Sequence, residues 1–277
     1  MKMLPCGNKS LDLRIPQIMG ILNVTPDSFS DGGLFVSVDA ALQQSREMIS
    51  AGATIIDVGG ESTRPGARAV SSHQELARVI PIIEAIRHEF PEVIISIDSS
   101  KPDVMHAAII AGANFINDVN ALQAEGAIAV AREHNVAVCL MHMLGQPRTM
   151  QQQPHYDDVV FDVLAYLRQR TAHCIESGID GNNIVIDPGF GFGKTLQQNL
   201  LLLKHLDQFA ELGFPLLVGL SRKSMIGMAI GKPVDDRVYA SVALATIACV
   251  KGADIIRVHD VAETLDAVKL CHAMLTA

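Results

Sequence analysis

Polar side chains of both charge signs stand at the ends of short apolar runs along this 277-residue chain. Alternate residues of a strand point to opposite faces, so in IIRVHD the side chains of Arg257 and His259 share one face. The same alternation predicts one interior polar set: Asp57, Asp98, Asn117, Asp187, Lys223 and Arg257. Asp57 has a second explanation, as a structural partner that compensates the charge of Arg257. The set as a whole favours a polar, anionic ligand, because buried ion pairs contribute little net stability.

The stretch IDPGFGFGKT, residues 186–195, has the composition of a phosphate loop but not its spacing. A P-loop requires a glycine five residues before the Gly-Lys-Thr triplet, and Pro188 occupies that position. The dinucleotide fingerprint would require a glycine where Lys194 stands. The stretch therefore predicts no nucleotide site, and the candidate ligand is Asp187, just before the glycines.

Eight short runs rich in Ile and Val carry these polar residues. The runs are 17–23, 54–60, 93–99, 115–120, 137–142, 184–189, 215–221 and 255–260. They are largely continuous, as parallel strands buried on both faces are. Apolar residues recur at helical spacing between them, and four helical segments end at a glycine before the next run. These are Gly52, Gly112, Gly178 and Gly252.

This order of elements predicts an α/β fold, a TIM-type (β/α)8 barrel, as a single domain over residues 1–277 with a core at about 15–275. A doubly wound sheet is the alternative. It would more often show a glycine fingerprint after its first strand, and GILNVTPD has none.

The composition limits the classes of function. A net charge of −8 with 49% hydrophobic residues is typical of a folded globular protein and argues against nucleic acid or an anionic membrane as partner. No apolar run reaches the roughly 18 residues of a membrane span. Five cysteines without a Cys-x-x-Cys pair indicate reduced, buried thiols, and we expect a cytoplasmic protein.

Two connections, residues 24–37 and 61–72, are long for a barrel, which is typical of lids or ligand-binding loops. His142 and His259 are far apart in sequence, and the pattern of a zinc site is absent. Asn23 could supply one oxygen to a Mg²⁺ ion that is shared with substrate phosphates.

The segments MGILNVTPDSFSDGG (19–33) and GATIIDVGGESTRPGA (52–67) resemble the two signatures of the dihydropteroate synthase family. IDSSKP, FINDVN, MHMLGQPRTMQ, IDPGFGFGKT, GLSRKSMIG and RVHDV match the remaining motifs in order, so the resemblance covers essentially the whole chain. Ser99 departs from an expected threonine but keeps the hydroxyl. The resemblance implies a barrel, Mg²⁺ dependence and a homodimer. The implied reaction joins 6-hydroxymethyl-7,8-dihydropterin diphosphate to 4-aminobenzoate and releases pyrophosphate, the step of folate synthesis that sulfonamides inhibit.

The resemblance also implies a role for each matching residue. The pterin would contact Asp98, Asn117, Met141, Asp187 and Lys223. The diphosphate would contact Asn23, Thr63, Arg257 and His259, with Asn23 also on Mg²⁺. The 4-aminobenzoate pocket would be formed by Phe29, Arg64, Pro65, Phe192, Ser221 and Arg222. The residues expected to act in catalysis are Asp98, Lys223, Arg257, His259 and Thr63. Pyrophosphate is expected to leave first, with Asp98 stabilising the pterin cation that remains.

Other functions stay open. Methyltetrahydrofolate-type pterin methyltransferases share the interior carboxylates but need no diphosphate site. A non-catalytic pterin-binding protein typically loses loop residues that are intact here. A barrel acting on a sugar phosphate would be expected to carry a glycine-rich phosphate grip after strands seven and eight, of which GLSRKSMIG is a weak version.

Overall fold

The computed structural model describes residues 3–24, 34–62, 66–67, 69–146, 149–150 and 154–277. A hairpin of two antiparallel strands comes first, β1 (Met3–Cys6) and β2 (Lys9–Asp12). The following strands are β3 (Gln17–Asn23), β4 (Ile55–Gly59), β5 (Ile94–Asp98), β6 (Phe115–Asp118), β7 (Ala137–Met141), β8 (Ile184–Asp187), β9 (Leu217–Val218) and β10 (Ile255–Val258). Each lies within one of the eight predicted runs.

Helices occupy the intervals between these strands. They are α1 (Leu34–Ser50), α2 (Ser72–Glu89), α3 (Pro102–Ile110), α4 (Ala127–His134), α5 (Val159–Glu176), α6 (Leu196–Lys204), α7 (Asp207–Ala210), α8 (Ser224–Ile230), α9 (Val238–Val250) and α10 (Val261–Leu275). Short 3-10 turns lie at Gly181–Asn183 and Val234–Asp236. The helices α1 and α2 begin inside the ranges 24–37 and 61–72, so the sequence analysis placed the ends of both connections too late.

Strands β3 to β10 form one parallel sheet in the order β8-β7-β6-β5-β4-β3-β10-β9. The two edges of this sheet meet, because Ile186 of β8 forms a parallel bridge with Leu216, and its amide donates to the Pro215 carbonyl at 2.9 Å. The predicted (β/α)8 barrel is therefore confirmed.

Parallel register brings the carboxyl ends of the strands to one rim, which we call the mouth. Asp57 pairs in register with Ser96, and Asp98 pairs with Asn117. The alternate residues, such as Ile56 and Ile95, face the helices and join the outer apolar core. The two-residue period thus sorts aliphatic side chains outward and polar side chains inward.

The opposite end of the barrel is closed by the hairpin of β1 and β2, a feature that the sequence analysis did not predict. Its turn includes Gly7, whose φ of +63° lies in the left-handed region that glycine tolerates. Four buried hairpin-segment residues, which we call the plug, pack on the innermost strand residues. The plug consists of Leu4, Cys6, Leu11 and Leu13; its contacts include Met19, Ile55, Ile94, Phe115, Val185, Leu217 and Ile255.

Local sequence accounts for how the helices begin and end. Ser71 and Gln74 form a capping box at α2, and Thr195 and Gln198 form another at α6. The Asp158 side chain accepts hydrogen bonds from the first turn of α5. The four glycines predicted to end helices all have positive φ, between 93° and 119°, which confirms that prediction.

All five cysteines are free and buried, as the sequence predicts. In the described part of the chain, no helix combines the length and the apolar character needed to cross a membrane.

Candidate functional site

Arg257 is the centre of the polar residues at the mouth. It lies on β10, and its Nε donates to Oδ2 of Asp57 at 2.6 Å. Its Nη2 donates to Oδ2 of Asp98 at 2.7 Å. One guanidinium therefore bridges carboxylates from two adjacent strands, and the convergence predicted from strand alternation is confirmed for these three residues.

Asp57 fixes the orientation of that guanidinium. Its side chain is fully buried and also accepts hydrogen bonds from Ser96 Oγ at 2.5 Å and Asn117 Nδ2 at 3.1 Å. Ser96 of β5 is in register with Asp57, and Asn117 of β6 lies two residues further along than that register. Its expected role as the partner of Arg257 is confirmed, while Ser96 is a member of this network that was not among the predicted site residues.

The buried charges shift one another's titration. Burial raises the pKa of Asp98 to about 7, although the charge of Arg257 opposes the rise. Burial on its own lowers the pKa of Arg257, but the attraction of Asp57 and Asp98 outweighs it and the pKa is raised overall. Arg257 is therefore a permanent cation, whereas Asp98 is poised between its neutral and charged forms near neutral pH.

Asp187 lies across the barrel at the end of β8, where the backbone turns sharply. Its Oδ1 accepts a hydrogen bond from the Gly189 amide at 2.7 Å. Gly189 has a φ of +70°, and a Cβ there would collide with the His142 carbonyl oxygen, so only glycine fits. Met141 is buried in register beside Asp187. Burial raises the pKa of Asp187 despite the nearby Lys223.

Lys223 reaches the same space from the connection after β9. Its ammonium donates to the Phe190 carbonyl and lies 4.6 Å from the ring centroid of Phe192. Burial lowers its pKa to about 8, while Asp187 acts in the opposite direction. A carboxylate and an ammonium with opposed pKa shifts are thus buried near one another, which is typical of a functional site.

Ser221 and His259 form a separate pair at the mouth. The Ser221 hydroxyl lies 3.0 Å from Nδ1 of His259 and accepts from the His259 backbone amide at 3.2 Å. The next residue, Arg222, has a φ of +56°, and its Nε donates to Asp260 at 3.0 Å. The Arg222 guanidinium is therefore held against the start of α10.

Lys194 is a buried lysine that was predicted only as part of a glycine-rich motif. Its Nζ lies 3.0 Å from His142 Nδ1, 2.8 Å from the Gly189 carbonyl and 3.0 Å from the Phe192 carbonyl. Burial lowers the pKa of Lys194 well below its usual value. Burial, followed by the charge of Lys194, lowers the pKa of His142 to about 3. These contacts fasten the turn after β8, with Phe192, to the end of β7.

Asn23 ends β3 at the mouth and is half-buried, and an amide oxygen is the kind of hard ligand that Mg²⁺ accepts. Four predicted site residues, Phe29, Thr63, Arg64 and Pro65, lie outside the described residues.

The described site therefore gathers, inside the mouth of the barrel, acceptors from Asp98 and Asp187, an amide from Asn117 and donors from Lys223 and Arg257. A flat heterocycle with several N–H groups along one edge matches two carboxylates, since each can accept two such bonds. Arg257 and Lys223, each close to one of these carboxylates, add positive charge that can hold an anion.

Comparison with known proteins agrees with this chemistry. Residues 19–259 match the family model described as pterin binding enzyme, so the chain belongs to the family of pterin binding enzymes.

Within that family its relatives are dihydropteroate synthases. The chain is 55% identical over 271 residues to dihydropteroate synthase of Haemophilus influenzae, with 98% of each chain covered. The crystal structure of Yersinia pestis dihydropteroate synthase with a sulfonamide drug superposes with a TM-score of 0.94 at 50% identity, covering 99% of this chain and 100% of that one. The Xanthomonas albilineans dihydropteroate synthase in complex with 7,8-dihydropteroate gives a TM-score of 0.90 at 43% identity, covering 99% of each chain. The chain is thus grouped with transferases of that kind.

Proposed function

We propose that the protein joins 6-hydroxymethyl-7,8-dihydropterin diphosphate to 4-aminobenzoate, giving 7,8-dihydropteroate and pyrophosphate. The observation that carries the proposal is the pair of buried carboxylates, Asp98 and Asp187, that lie inside the mouth with Lys223 and Arg257 beside them. This donor and acceptor set matches a pterin bearing a diphosphate, and full-length likeness to dihydropteroate synthases supports it.

The pterin would lie deep inside the mouth of the barrel. Asp187 and Asp98 accept its ring N–H and amino hydrogens, Asn117 pairs along the same edge, and Lys223 donates to a ring oxygen or nitrogen. Met141, buried at the end of β7, packs on the ring face. Because the turn after β8 is fastened through Lys194, Asp187 is already oriented before the ligand arrives.

The diphosphate would lie toward the rim, at Arg257, His259, Asn23 and Thr63. The Arg257 contacts with Asp57 and Asp98 use Nε and Nη2. In the described part of the chain these are its carboxylate contacts, and Nη1 can donate to a phosphate oxygen. His259, held by Ser221, supplies a second donor.

The Mg²⁺ ion fits this donor set as an ion that arrives with the substrate. Mg²⁺ usually keeps several waters and shares phosphate oxygens, so a single protein ligand such as the Asn23 amide oxygen is sufficient. When bound, it would neutralise charge on the leaving group.

The 4-aminobenzoate would occupy the outer part of the mouth. Phe192 lies under the Lys223 ammonium and can form one wall, with Ser221 close by. Phe29, Arg64, Pro65 and Arg222 complete the proposed pocket, Arg222 after its side chain leaves Asp260 or through its backbone. A sulfonamide resembles 4-aminobenzoate in shape and charge, and we propose that it competes there.

The reaction follows from these positions. The bond between the methylene carbon and the diphosphate oxygen breaks, and its electron pair leaves with pyrophosphate, whose charge Arg257 and His259 stabilise. The pterin ring delocalises the positive charge that remains, and ionised Asp98 stabilises it. The amine of 4-aminobenzoate then bonds to the methylene carbon and loses a proton to solvent. The connections 24–37 and 61–72, which include Thr63, would cover this centre and exclude water.

The test is pyrophosphate release from the pterin diphosphate with Mg²⁺, with and without 4-aminobenzoate. We expect release coupled to dihydropteroate with the amine and slow release without it. Tight pterin binding without any release would support a non-catalytic pterin-binding protein. Methyl transfer from methyltetrahydrofolate would support the methyltransferase alternative.

We also propose a homodimer in the cytoplasm. The helices α8 to α10 leave several large apolar side chains exposed, among them Met228, Tyr239, Val250 and Leu270. Exposed apolar residues on neighbouring helices favour a subunit contact. Light scattering should give twice the chain mass of 29.8 kDa, and Tyr239→Glu should shift it toward the monomer. The buried free thiols fit a reducing compartment.

A further inference from the structure

Two histidines from neighbouring helices meet on the outer surface of the barrel. His106 lies on α3, and His134 is the last residue of α4. Nε2 of His134 lies 3.0 Å from Nδ1 of His106, and the two ring centroids are 4.9 Å apart. With a carboxylate oxygen of Glu133, these ring nitrogens form a group of ligand atoms that all lie within 4.8 Å of one another. We call His106, Glu133 and His134 the helix-pair cluster.

The helix-pair cluster lies toward the plugged end of the barrel. His134 lines a surface cavity of about 500 Å³ together with Gly7 and Lys9 of the hairpin. His106 and Glu133 are exposed and His134 is half-buried, so an ion from solvent can reach all three. Sequence spacing gives no sign of such a group, because its members come from two successive strand–helix units.

The distance between the two rings fits metal ligation. Metal–nitrogen bonds of roughly 2.0–2.1 Å place two imidazole nitrogens on one ion about 2.9–3.4 Å apart. The observed 3.0 Å lies in that range, so the rings need only tilt to direct both lone pairs at a single ion. Glu133 has a long, exposed side chain, and a change of rotamer can bring its carboxylate to the same ion.

The charges around the helix-pair cluster favour a cation. Glu133 is acidic, and Asp103 lies one helical turn before His106 on α3. The α3 sequence PDVMHAAII contains no lysine or arginine. Arg132, the cation beside Glu133, is directed to the other neighbour of α4, where its Nη1 donates to the Ser177 carbonyl at the end of α5. A bound ion therefore meets acidic groups on the α3 side of α4.

We propose that the helix-pair cluster binds one divalent transition-metal ion, with Zn²⁺ as the representative. Nδ1 of His106, Nε2 of His134 and a carboxylate oxygen of Glu133 are the ligands, and water completes the coordination. Two imidazoles and one carboxylate suit Zn²⁺, Ni²⁺ or Cu²⁺, whereas Mg²⁺ prefers oxygen ligands throughout. The site is thus distinct from the proposed Mg²⁺ position at Asn23, and it is independent of the reaction at the mouth.

The bound ion would join α4 to α3. The helix α4 has only eight residues, and its N-cap Gly126 makes no side-chain capping bond. Helices of this length are marginal on their own and depend on packing. Because the ligands lie on both helices, the ion resists separation of the last turn of α4 from α3. Its effect should therefore be a local decrease in the opening of α4.

The experiment titrates Zn²⁺ into metal-free protein by calorimetry, in excess Mg²⁺ so that positions for hard ions are already occupied. We expect one Zn²⁺ per chain. His106→Ala and His134→Ala should each raise the Kd at least about tenfold, and Glu133→Gln by a smaller factor. Both alanine substitutions are at surface helix positions, where alanine favours the helix, so the variants should fold.

The matched control is His155→Ala. His155 is an exposed histidine whose Nε2 lies 3.5 Å from a carboxylate oxygen of Asp157, but it is not a member of the helix-pair cluster. The Kd should not change in this variant. Hydrogen exchange should slow in α4 when Zn²⁺ binds the wild type, and not in His106→Ala.

Three results would overturn the proposal. The first is the absence of Zn²⁺ binding to the wild type, which would leave the two rings as a hydrogen-bonded pair. The second is an unchanged Kd in both His106→Ala and His134→Ala, and the third is an equal loss in His155→Ala, which would indicate diffuse binding to surface histidines. An unchanged Kd in Glu133→Gln would overturn the assignment of the third ligand.

Discussion

At the plugged end of the barrel, the innermost strand residues are apolar, whereas on five of the eight barrel strands the residue two positions further along is polar or charged. Ile55 is followed by Asp57, and Phe115 by Asn117. Val185 is likewise followed by Asp187, and Ile255 by Arg257. Two strand residues span only about 6.6 Å, so the apolar core and the charged site lie in adjacent layers of side chains.

This difference between the two ends shows how the barrel divides stability from function. The plug buries aliphatic groups that gain free energy from leaving water. The mouth buries charges whose pKa values are shifted against their ionised forms, as for Asp98 and Lys223, so it gains little stability from them. Substitutions at the mouth should therefore lower activity more than stability, and substitutions in the plug should lower stability more than activity.

The largest effect is expected for Asp98→Asn at the mouth. We expect kcat to fall roughly 10²- to 10³-fold, because the charge facing the pterin cation is lost. Pterin diphosphate affinity should fall much less, and the free energy of unfolding should not fall, since the replaced charge is disfavoured by burial. Steady-state kinetics, calorimetry and urea unfolding measure the three quantities. Equal losses in kcat and in affinity would leave Asp98 a binding role alone.

Leu4→Ala tests the plug. Leu4 is fully buried, and removing its side chain should lower the free energy of unfolding by about 2–5 kcal/mol. The folded variant should keep the wild-type kcat, because the mouth is unchanged. Urea unfolding and assays well below the melting temperature measure both, with Leu4→Met as the volume-conserving control. A matching loss of kcat would contradict the separation of the two ends.

The pH dependence of kcat/KM should be set by titrating groups at the mouth and should not depend on the plug. Asp98 must be ionised to accept and to stabilise positive charge, so activity should rise as the pH passes its pKa of about 7. Lys223 must be protonated to donate, so activity should fall above its pKa of about 8. Lys223→Arg should move the alkaline limb to higher pH, since arginine stays protonated. If Lys223→Arg does not move the alkaline limb, that limb is due to the titration of another group. Leu4→Ala should leave both limbs in place.

The smallest effect is expected for Ser96→Ala, in the layer between the two ends. Ser96 donates to Asp57, which in turn orients Arg257. Loss of a hydrogen bond to a charged group should lower the free energy of unfolding by about 1.5–3 kcal/mol. We expect kcat to fall only a few-fold, because Asn117 still holds Asp57. A Ser96→Thr control, which keeps the hydroxyl, should restore both values if the site has room for a methyl group.

The sequence was sufficient to predict the barrel and the polar interior because both depend on local periods. Continuous Ile and Val runs predict buried parallel strands, and the two-residue alternation places Asp57, Asp98 and Arg257 on one face. The glycines that end helices can likewise be predicted from local sequence, because glycine readily adopts the positive φ that commonly ends a helix.

The features that sequence analysis missed depend on contacts between distant segments. The hairpin strands are four residues each, too short for a clear period, and their burial comes from the barrel interior that they fill. Lys194 is buried because a histidine nitrogen and backbone carbonyls surround it, which no local pattern indicates. Glu75 and Lys101 are 26 residues apart and meet only because β4 and β5 are neighbours.

The plug also has a practical consequence for attaching the protein to a surface. Met3 begins the hairpin at the end of the barrel opposite the mouth, and it is 41% exposed. Since all five native thiols are buried, a single cysteine introduced in place of Met3 would be the accessible thiol for maleimide coupling. Molecules immobilised in this way would share one orientation on a sensor chip, with the mouth directed toward the flowing ligand.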